Sequence, residues 1–290
     1  MSFSGTHTAL VTPFRRGQFD AGAFRNLIEE QIAGGISGIV PVGTTGESPT
    51  LDQDEHNEVI RTAIEAAHGR CPVMAGTGSN ATSEAVALTA EAERLGADSA
   101  LLVAPYYNKP SQEGLYRHFR AISESVKIPL VLYSIPGRCG IEIGAETVVR
   151  LAGDCPNICA IKEAGGSVER VSQLRSVLPP EFEILCGDDS LTIPFLSVGA
   201  VGVISVASNL FPAEVSGMVR LWLSGDAAGA AAIHRRLYPI FKDLFIEPNP
   251  VPVKFALSLR GKMSPDVRLP LCEMSEGNCA RLRKTLESLA

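Results

Sequence analysis

Eight short apolar segments, separated by stretches of helical periodicity and followed by a purely helical tail, predict an α/β chain. The expected architecture is a (β/α)8 TIM barrel with a small C-terminal helical extension. The segments read Thr8–Val11, Gly38–Val42, Val73–Ala75, Ala100–Val103, Leu130–Tyr133, Ile158–Lys162, Glu183–Cys186 and Val201–Val206. They alternate little between polar and apolar residues, as strands do when both faces of a parallel sheet are covered. Roughly eight such units in the first ~225 residues approach the ~250 residues typical of a closed barrel. An open doubly wound sheet is disfavoured, because no strand leads into a Gly-x-Gly-x-x-Gly turn.

The helical stretches carry their own signals. Ala85, Leu88, Ala92 and Leu95 recur at the spacing of one helix face, and Gly96 follows as a stop. Thr50-x-x-Gln53 has the form of a capping box opening the helix after the second strand. After Phe211 strand candidates vanish, and helices are expected at about Ala213–Leu223, Ala227–Phe245, Val251–Leu259 and Ser275–Leu289. Pro248, Pro250 and Pro252 punctuate the join between two of them. The barrel is therefore assigned to residues 1–225 and the extension to residues 226–290.

Composition narrows the function. The 290 residues are 45% hydrophobic and 20% charged, a globular balance, with a formal net charge of −6. No block of Lys and Arg is present to displace counterions, so a nucleic-acid partner is not expected. No apolar run approaches ~18 residues, and no signal-peptide pattern opens the chain, so a cytoplasmic protein without a membrane span is expected. The seven cysteines are odd in number and scattered, which suits buried, reduced thiols. No His/Asp/Glu ligand cluster calls for a metal, and no motif calls for a bound cofactor.

A barrel of this type builds its active site at the C-terminal ends of its strands. Those ends carry Gly43-Thr-Thr-Gly-Glu47, Gly76-Thr-Gly78, Pro105-Tyr-Tyr-Asn108, Tyr133-Ser-Ile-Pro-Gly-Arg138, Lys162-Glu163, Gly187-Asp-Asp189 and Ser205. Lys162 closes an apolar strand, where desolvation favours the neutral amine that attacks a ketone. A lysine snorkelling from a strand end, or paired with Glu163, fits the same pattern. Thr44 and Thr45 offer hydroxyls and backbone N–H groups for a carboxylate. Tyr133 and Tyr107 are phenols able to carry protons, or to pack at a rim. Arg138, after the Pro136-Gly137 turn, is a bidentate carboxylate clamp or a surface charge. Lys109 lies in a polar loop, and Lys254 is expected in the extension, away from the mouth.

The ordered set Gly43-Thr-Thr-Gly-Glu47, Tyr106-Tyr-Asn-Lys-Pro110, Tyr133…Arg138, Ile161-Lys-Glu-Ala164 and Gly202-Val-Ile-Ser-Val206 resembles the dihydrodipicolinate synthase family. This is a group of pyruvate-dependent class I aldolases related to N-acetylneuraminate lyase. The resemblance runs from Thr8-Ala-Leu-Val-Thr-Pro13 to Glu247-Pro-Asn-Pro-Val-Pro-Val-Lys254. It implies a lyase in which Lys162 forms a Schiff base with pyruvate, and the enamine then attacks L-aspartate 4-semialdehyde, a step of lysine and diaminopimelate biosynthesis. It also implies that Tyr133 carries protons, linked through Thr45 to a Tyr107 lent by a second subunit. Thr44 and Thr45 would hold the pyruvate carboxylate and Arg138 that of the aldehyde, while Gly187 and Ile204 line the pocket through their backbone. A homo-oligomer, dimer or tetramer, follows from the lent tyrosine.

Ser48, His56, Asn80, Glu84 and Tyr106 match the family's site for L-lysine as feedback inhibitor. Two departures stand beside Arg138, Ser134 and Cys139, where the family more often has Asn and Thr. The alternatives are another pyruvate aldolase, such as N-acetylneuraminate lyase or a keto-deoxy sugar acid aldolase, and a non-catalytic barrel that senses a small acid.

Overall fold

The computed structural model describes residues 2–289. Its barrel strands are β1 (Gly5–Ala9), β2 (Gly38–Val40), β3 (Met74–Gly76), β4 (Ser99–Val103), β5 (Leu130–Ser134), β6 (Ile158–Glu163), β7 (Glu183–Cys186) and β8 (Gly202–Ser205). They form one sheet in the order β2-β1-β8-β7-β6-β5-β4-β3, and every pairing in it is parallel. A bridge between Ile39 and Val73 joins its two outer strands and closes the barrel. Helices α1 (Ala21–Ala33), α2 (Gln53–Ala67), α3 (Thr82–Leu95), α4 (Gln112–Ser125), α5 (Ala145–Asp154), α6 (Val168–Val177), α7 (Thr192–Ser197) and α8 (Pro212–Leu223) follow the strands in turn. The tail holds α9 (Ala227–Asp243), α10 (Val251–Leu259) and α11 (Glu276–Glu287). A two-residue ribbon, Phe14–Arg15 with Gln18–Phe19, lies before α1.

The core is layered as the lack of alternation predicts. Phe3, Ala9, Val40, Met74, Leu101, Val131, Tyr133, Ala160, Leu185 and Ile204 fill the barrel interior. Alternate residues of the same strands, such as Leu130, Leu132, Ile158 and Ile161, pack outward against the helices. Phe24, Phe119, Phe195 and Phe241 are fully buried in that outer layer, each contributing about 1.5–3 kcal/mol of transfer free energy.

Two local expectations need correction. The first strand was expected at Thr8–Val11, but β1 runs Gly5–Ala9. Its polar residues are buried and bonded: Thr8 Oγ1 donates to Gln31, and His7 Nε2 lies 2.9 Å from the Phe3 carbonyl. A strand whose polar groups find internal partners leaves no apolar signature. The cap of α2 is Asp52 rather than Thr50, its carboxylate accepting from the Glu55 N–H at 2.9 Å. Thr50 instead donates to the Glu47 carbonyl in the preceding turn. The stop at Gly96 holds, with φ 97°. All seven cysteines are free; Cys71, Cys139, Cys155 and Cys186 are buried, whereas Cys272 is exposed. Among the described residues, no helix is long and apolar enough to cross a membrane.

Burial pushes the His7 imidazole down from 6.5 to about 4, partly offset by its bond to the Phe3 carbonyl. Neutral His7 therefore contributes stability that is complete above pH 6.5 and is lost as pH falls from there through about 4. His7→Gln is expected to flatten the acid-induced fall of the thermal midpoint across this window. A slope equal to the parent's would refute that assignment.

Candidate active site

Lys162 and Tyr133 are cross-strand partners, because β5 and β6 pair in the register Tyr133↔Lys162 and Ser134↔Glu163. Parallel neighbours in register point to the same face. Both side chains therefore enter the barrel mouth, at 6% and 5% exposure, with Lys162 Nζ 4.1 Å from the centroid of the Tyr133 ring. Glu163, one residue on, faces the opposite way. Its carboxylate accepts from the Gly165 N–H at 2.8 Å and lies 3.7 Å from Arg170. Burial raises the Glu163 pKa. The reading in which Lys162 pairs with Glu163 is thereby removed.

Gly187 closes one wall. A Cβ there would lie 3.0 Å from Lys162 Cε and 2.6 Å from the Ala164 Cβ, so only glycine leaves the lysine its space. The β7–β8 register pairs Cys186 with Val203, which puts Ile204 level with Gly187. Ile204 is 1% exposed and belongs to the inner cluster with Tyr133. Asp189 ties the two strand ends together. It accepts from Ser205 Oγ and from the Val206 and Ala207 N–H groups, while burial lifts its pKa to about 6.

The loop after β2 is held in an unusual backbone shape. Val42 and Glu47, which bracket Gly43-Thr-Thr-Gly46, have φ 51° and 56°. Positive φ at a β-branched residue costs on the order of 1–3 kcal/mol and persists where the surroundings over-determine it. The surroundings do so here. Gly76 and Gly46 press so close to Val42 that added Cβ atoms would lie 2.5 Å and 2.9 Å from its backbone. Glu47 is gripped on both oxygens, by Lys254 Nζ at 2.6 Å and by the Arg268 N–H at 3.0 Å.

Lys254 thus lies beneath the Thr44–Thr45 loop, not away from the mouth as expected. It is fully buried; desolvation pushes its pKa down, and the facing Glu47 pulls it back up. Thr45 is 3% exposed and its Oγ1 accepts from Asn249 Nδ2 at 3.0 Å. The Asn249 carbonyl also accepts from the exposed Arg138 guanidinium at 3.4 Å. Thr44 is half-buried, its carbonyl accepting from the Glu47 N–H at 3.1 Å. Sequence reasoning missed Asn249. Its flanking prolines drew attention to the join and away from the amide between them.

Tyr107 is not brought to this group within one chain. It has φ 72° and is 89% exposed. Its neighbour Tyr106 turns into a separate cavity of about 540 Å³, lined also by Ser48, His56 and Glu84. Asn80 is not part of that lining; its carbonyl accepts from Asn108 Nδ2 at 2.8 Å. Glu84 accepts from Ser79 Oγ. Burial, and after it the Glu84 charge, raises the Tyr106 pKa. His56 Nε2 is bonded to the Gly76 carbonyl at 3.0 Å, its Nδ1 is buried without a partner, and burial lowers its pKa.

Comparison with known proteins places the whole chain in one family. A curated 4-hydroxy-tetrahydrodipicolinate synthase of Endomicrobium trichonymphae is 50% identical over 285 residues, covering 98% of both chains. The solved 4-hydroxy-tetrahydrodipicolinate synthase of Methylacidiphilum fumariolicum SolV superposes with a TM-score of 0.98 at 56% identity, covering 99% of this chain and 96% of that one. A dihydrodipicolinate synthase from Cyanidioschyzon merolae, solved with lysine bound, gives a TM-score of 0.96 at 42% identity, covering 99% and 98%. The family model spans residues 2–289, and the chain belongs to the dihydrodipicolinate synthetase family.

Proposed function

We propose that this chain is a Schiff-base-forming 4-hydroxy-tetrahydrodipicolinate synthase acting on pyruvate and L-aspartate 4-semialdehyde. The observation that carries the reading is the pair of Lys162 and Tyr133, buried together in the barrel mouth with the amine over the ring. Lys162 Nζ attacks the pyruvate C2 carbonyl, and water leaves to give a protonated imine. That cation is an electron sink, so a C3 proton departs and an enamine forms. The enamine carbon attacks the aldehyde carbon of the second substrate, creating a C–C bond and a hydroxyl. The substrate's own amine then adds to the imine carbon, closes the ring and expels Lys162 as free amine.

The phenol of Tyr133, beside Nζ, exchanges the protons of these steps, with Thr45 next in the chain. Thr44 and Thr45 receive the pyruvate carboxylate, and Arg138 at the rim receives that of the aldehyde. Gly187 and Ile204 shape the wall around the imine. The exposure of Tyr107 supports a second subunit, whose copy of that residue completes the relay. The assembly is then at least a homodimer.

The cavity at Tyr106 supports L-lysine as a feedback inhibitor. Glu84 offers a carboxylate for the ligand's α-ammonium, and the His56 imidazole in the same lining faces its terminal ammonium. One assay tests both readings: turnover of pyruvate and aspartate 4-semialdehyde, coupled to dihydrodipicolinate reductase, with and without millimolar lysine. Reductase-dependent turnover is expected, with a lower rate when lysine is present. Cleavage of sugar acids in place of condensation would replace the first reading; an unchanged rate at saturating pyruvate would remove the second.

A further inference from the structure

We infer that Thr12 is a positioning residue for the carboxylate site: its hydroxyl keeps the Gly46 carbonyl occupied, so that the Thr44–Thr45 loop meets an anion with its N–H groups. The inference rests on the proposed reading of that loop as the pyruvate carboxylate site and supplies the cause of its polarity. Thr12 lies three residues beyond the end of β1 and is 1% exposed. Its Oγ1 donates to the Gly46 carbonyl at 2.7 Å.

The loop sorts its backbone groups by sign. The Gly43 carbonyl accepts from the Gly46 and Ser48 N–H groups, and the Thr44 carbonyl accepts from the Glu47 N–H. The Glu47 carbonyl is taken by Thr50, and the Gly46 carbonyl by Thr12. The N–H groups of Thr44 and Thr45 donate to no protein acceptor among the described residues. Neighbouring donors freed in this way make a concavity suited to an anion. A shielded N–H is seldom left without an acceptor, and a carboxylate supplies one.

Thr12 is the only donor to the Gly46 carbonyl among the described residues. The Gly46–Glu47 peptide is thus pinned at its oxygen by Thr12 and at its N–H by the Thr44 carbonyl. Released at the oxygen, it would rotate readily, because glycine resists such a turn least. The post itself is fixed. Leu10 N–H donates to the Val40 carbonyl at 3.0 Å and Val11 N–H to Asn209 Oδ1 at 3.3 Å, which ties the segment to β2 and to the turn after β8. A Cβ on Gly46 would lie 3.2 Å from Thr12 Oγ1, so the glycine permits the close approach.

Thr12→Val removes the hydroxyl and keeps the branched shape. KM for pyruvate in the coupled reaction is expected to rise about tenfold, the scale of one hydrogen bond to a charged group. The kcat at saturating pyruvate should stay within about threefold, as when ground-state binding alone is lost. KM for the aldehyde, whose carboxylate meets Arg138, should stay within about twofold. The pyruvate concentration at which borohydride trapping on Lys162 runs at half its maximal rate should rise with the pyruvate KM. Thr12→Ala, also without a hydroxyl but with less bulk beside Gly46, should share the rise. Thr12→Ser regains the donor and should return the pyruvate KM to within about twofold of the parent's.

A parent-like pyruvate KM in either hydroxyl-free variant, a loss borne by kcat alone, or a Thr12→Ser variant as impaired as Thr12→Val would overturn the inference. A purely structural role would lower the thermal midpoint without separating the two substrates. Adduct in the parent with an unshifted concentration dependence in the variants removes this inference alone. Absence of adduct in the parent removes the enzyme reading, and this inference with it.

Discussion

Lys162→Ala is expected to lower kcat by roughly 10⁴- to 10⁶-fold, the scale seen when the acting member of a catalytic group is removed. The covalent route is lost, because Lys254, the other buried lysine among the described residues, is committed to Glu47. Glu163 cannot substitute for it, facing outward toward Gly165 and Arg170. The fold should persist. Lys162 makes no ion pair among the described residues, and truncation leaves Ala160, Leu185 and Ile204 packed around the gap. Borohydride reduction with pyruvate should add mass to the parent's peptide carrying Lys162 and none to the variant's. A parent adduct on any other peptide would disprove the assignment of the nucleophile, and circular dichroism on the variant verifies that only chemistry was removed.

Lys254→Met is expected to destabilise the protein by about 3–5 kcal/mol, the usual cost of stranding one member of a buried pair. Glu47 would keep its Arg268 N–H bond but lose the cation that balances its charge. Both side chains are almost wholly shielded from water, at 0% and 1% side-chain exposure, so solvent cannot compensate. The loss should concentrate at the β2 loop, whose Val42 and Glu47 hold positive φ only while their surroundings insist on it. Pairing the change with Glu47→Gln should recover part of the stability, since the stranded charge is then gone. Denaturant titration reads both variants. A single variant as stable as the parent would show that the pair does not hold the loop.

Much of this was legible in the sequence because its signals were apolar or ordered along the chain. Seven of the eight apolar segments located their strands, and the register between two of them joins Tyr133 to Lys162. The illegible parts share one physical cause: polar atoms whose partners lie far away in sequence. β1 was displaced because the buried Thr8 hydroxyl is satisfied by Gln31, outside the strand's own window. Lys254 read as a lysine of the extension, away from the mouth, because Glu47 is 207 residues away. Asn249 was overlooked for the same reason, its partner Thr45 lying 204 residues back. A pattern within one window cannot encode a contact between two windows.

The same polar β1 has a consequence for how the chain is made. Its two neighbours are β2, the next strand to be synthesised, and β8, close to the end of the barrel. As the nascent chain emerges, β1 can pair on one side only and must wait for most of the barrel before the other side closes. An unpaired edge is the place where a growing chain is captured by another copy of itself. The stretch that waits longest reads Gly-Thr-His-Thr-Ala, with no large aliphatic residue for a neighbour to grip. Its hydroxyls and imidazole remain comfortable in water while the strand waits, and in the closed barrel their partners include Gln31 and Phe3. The composition that hides this strand from a reader of the sequence also hides it from other chains on the ribosome.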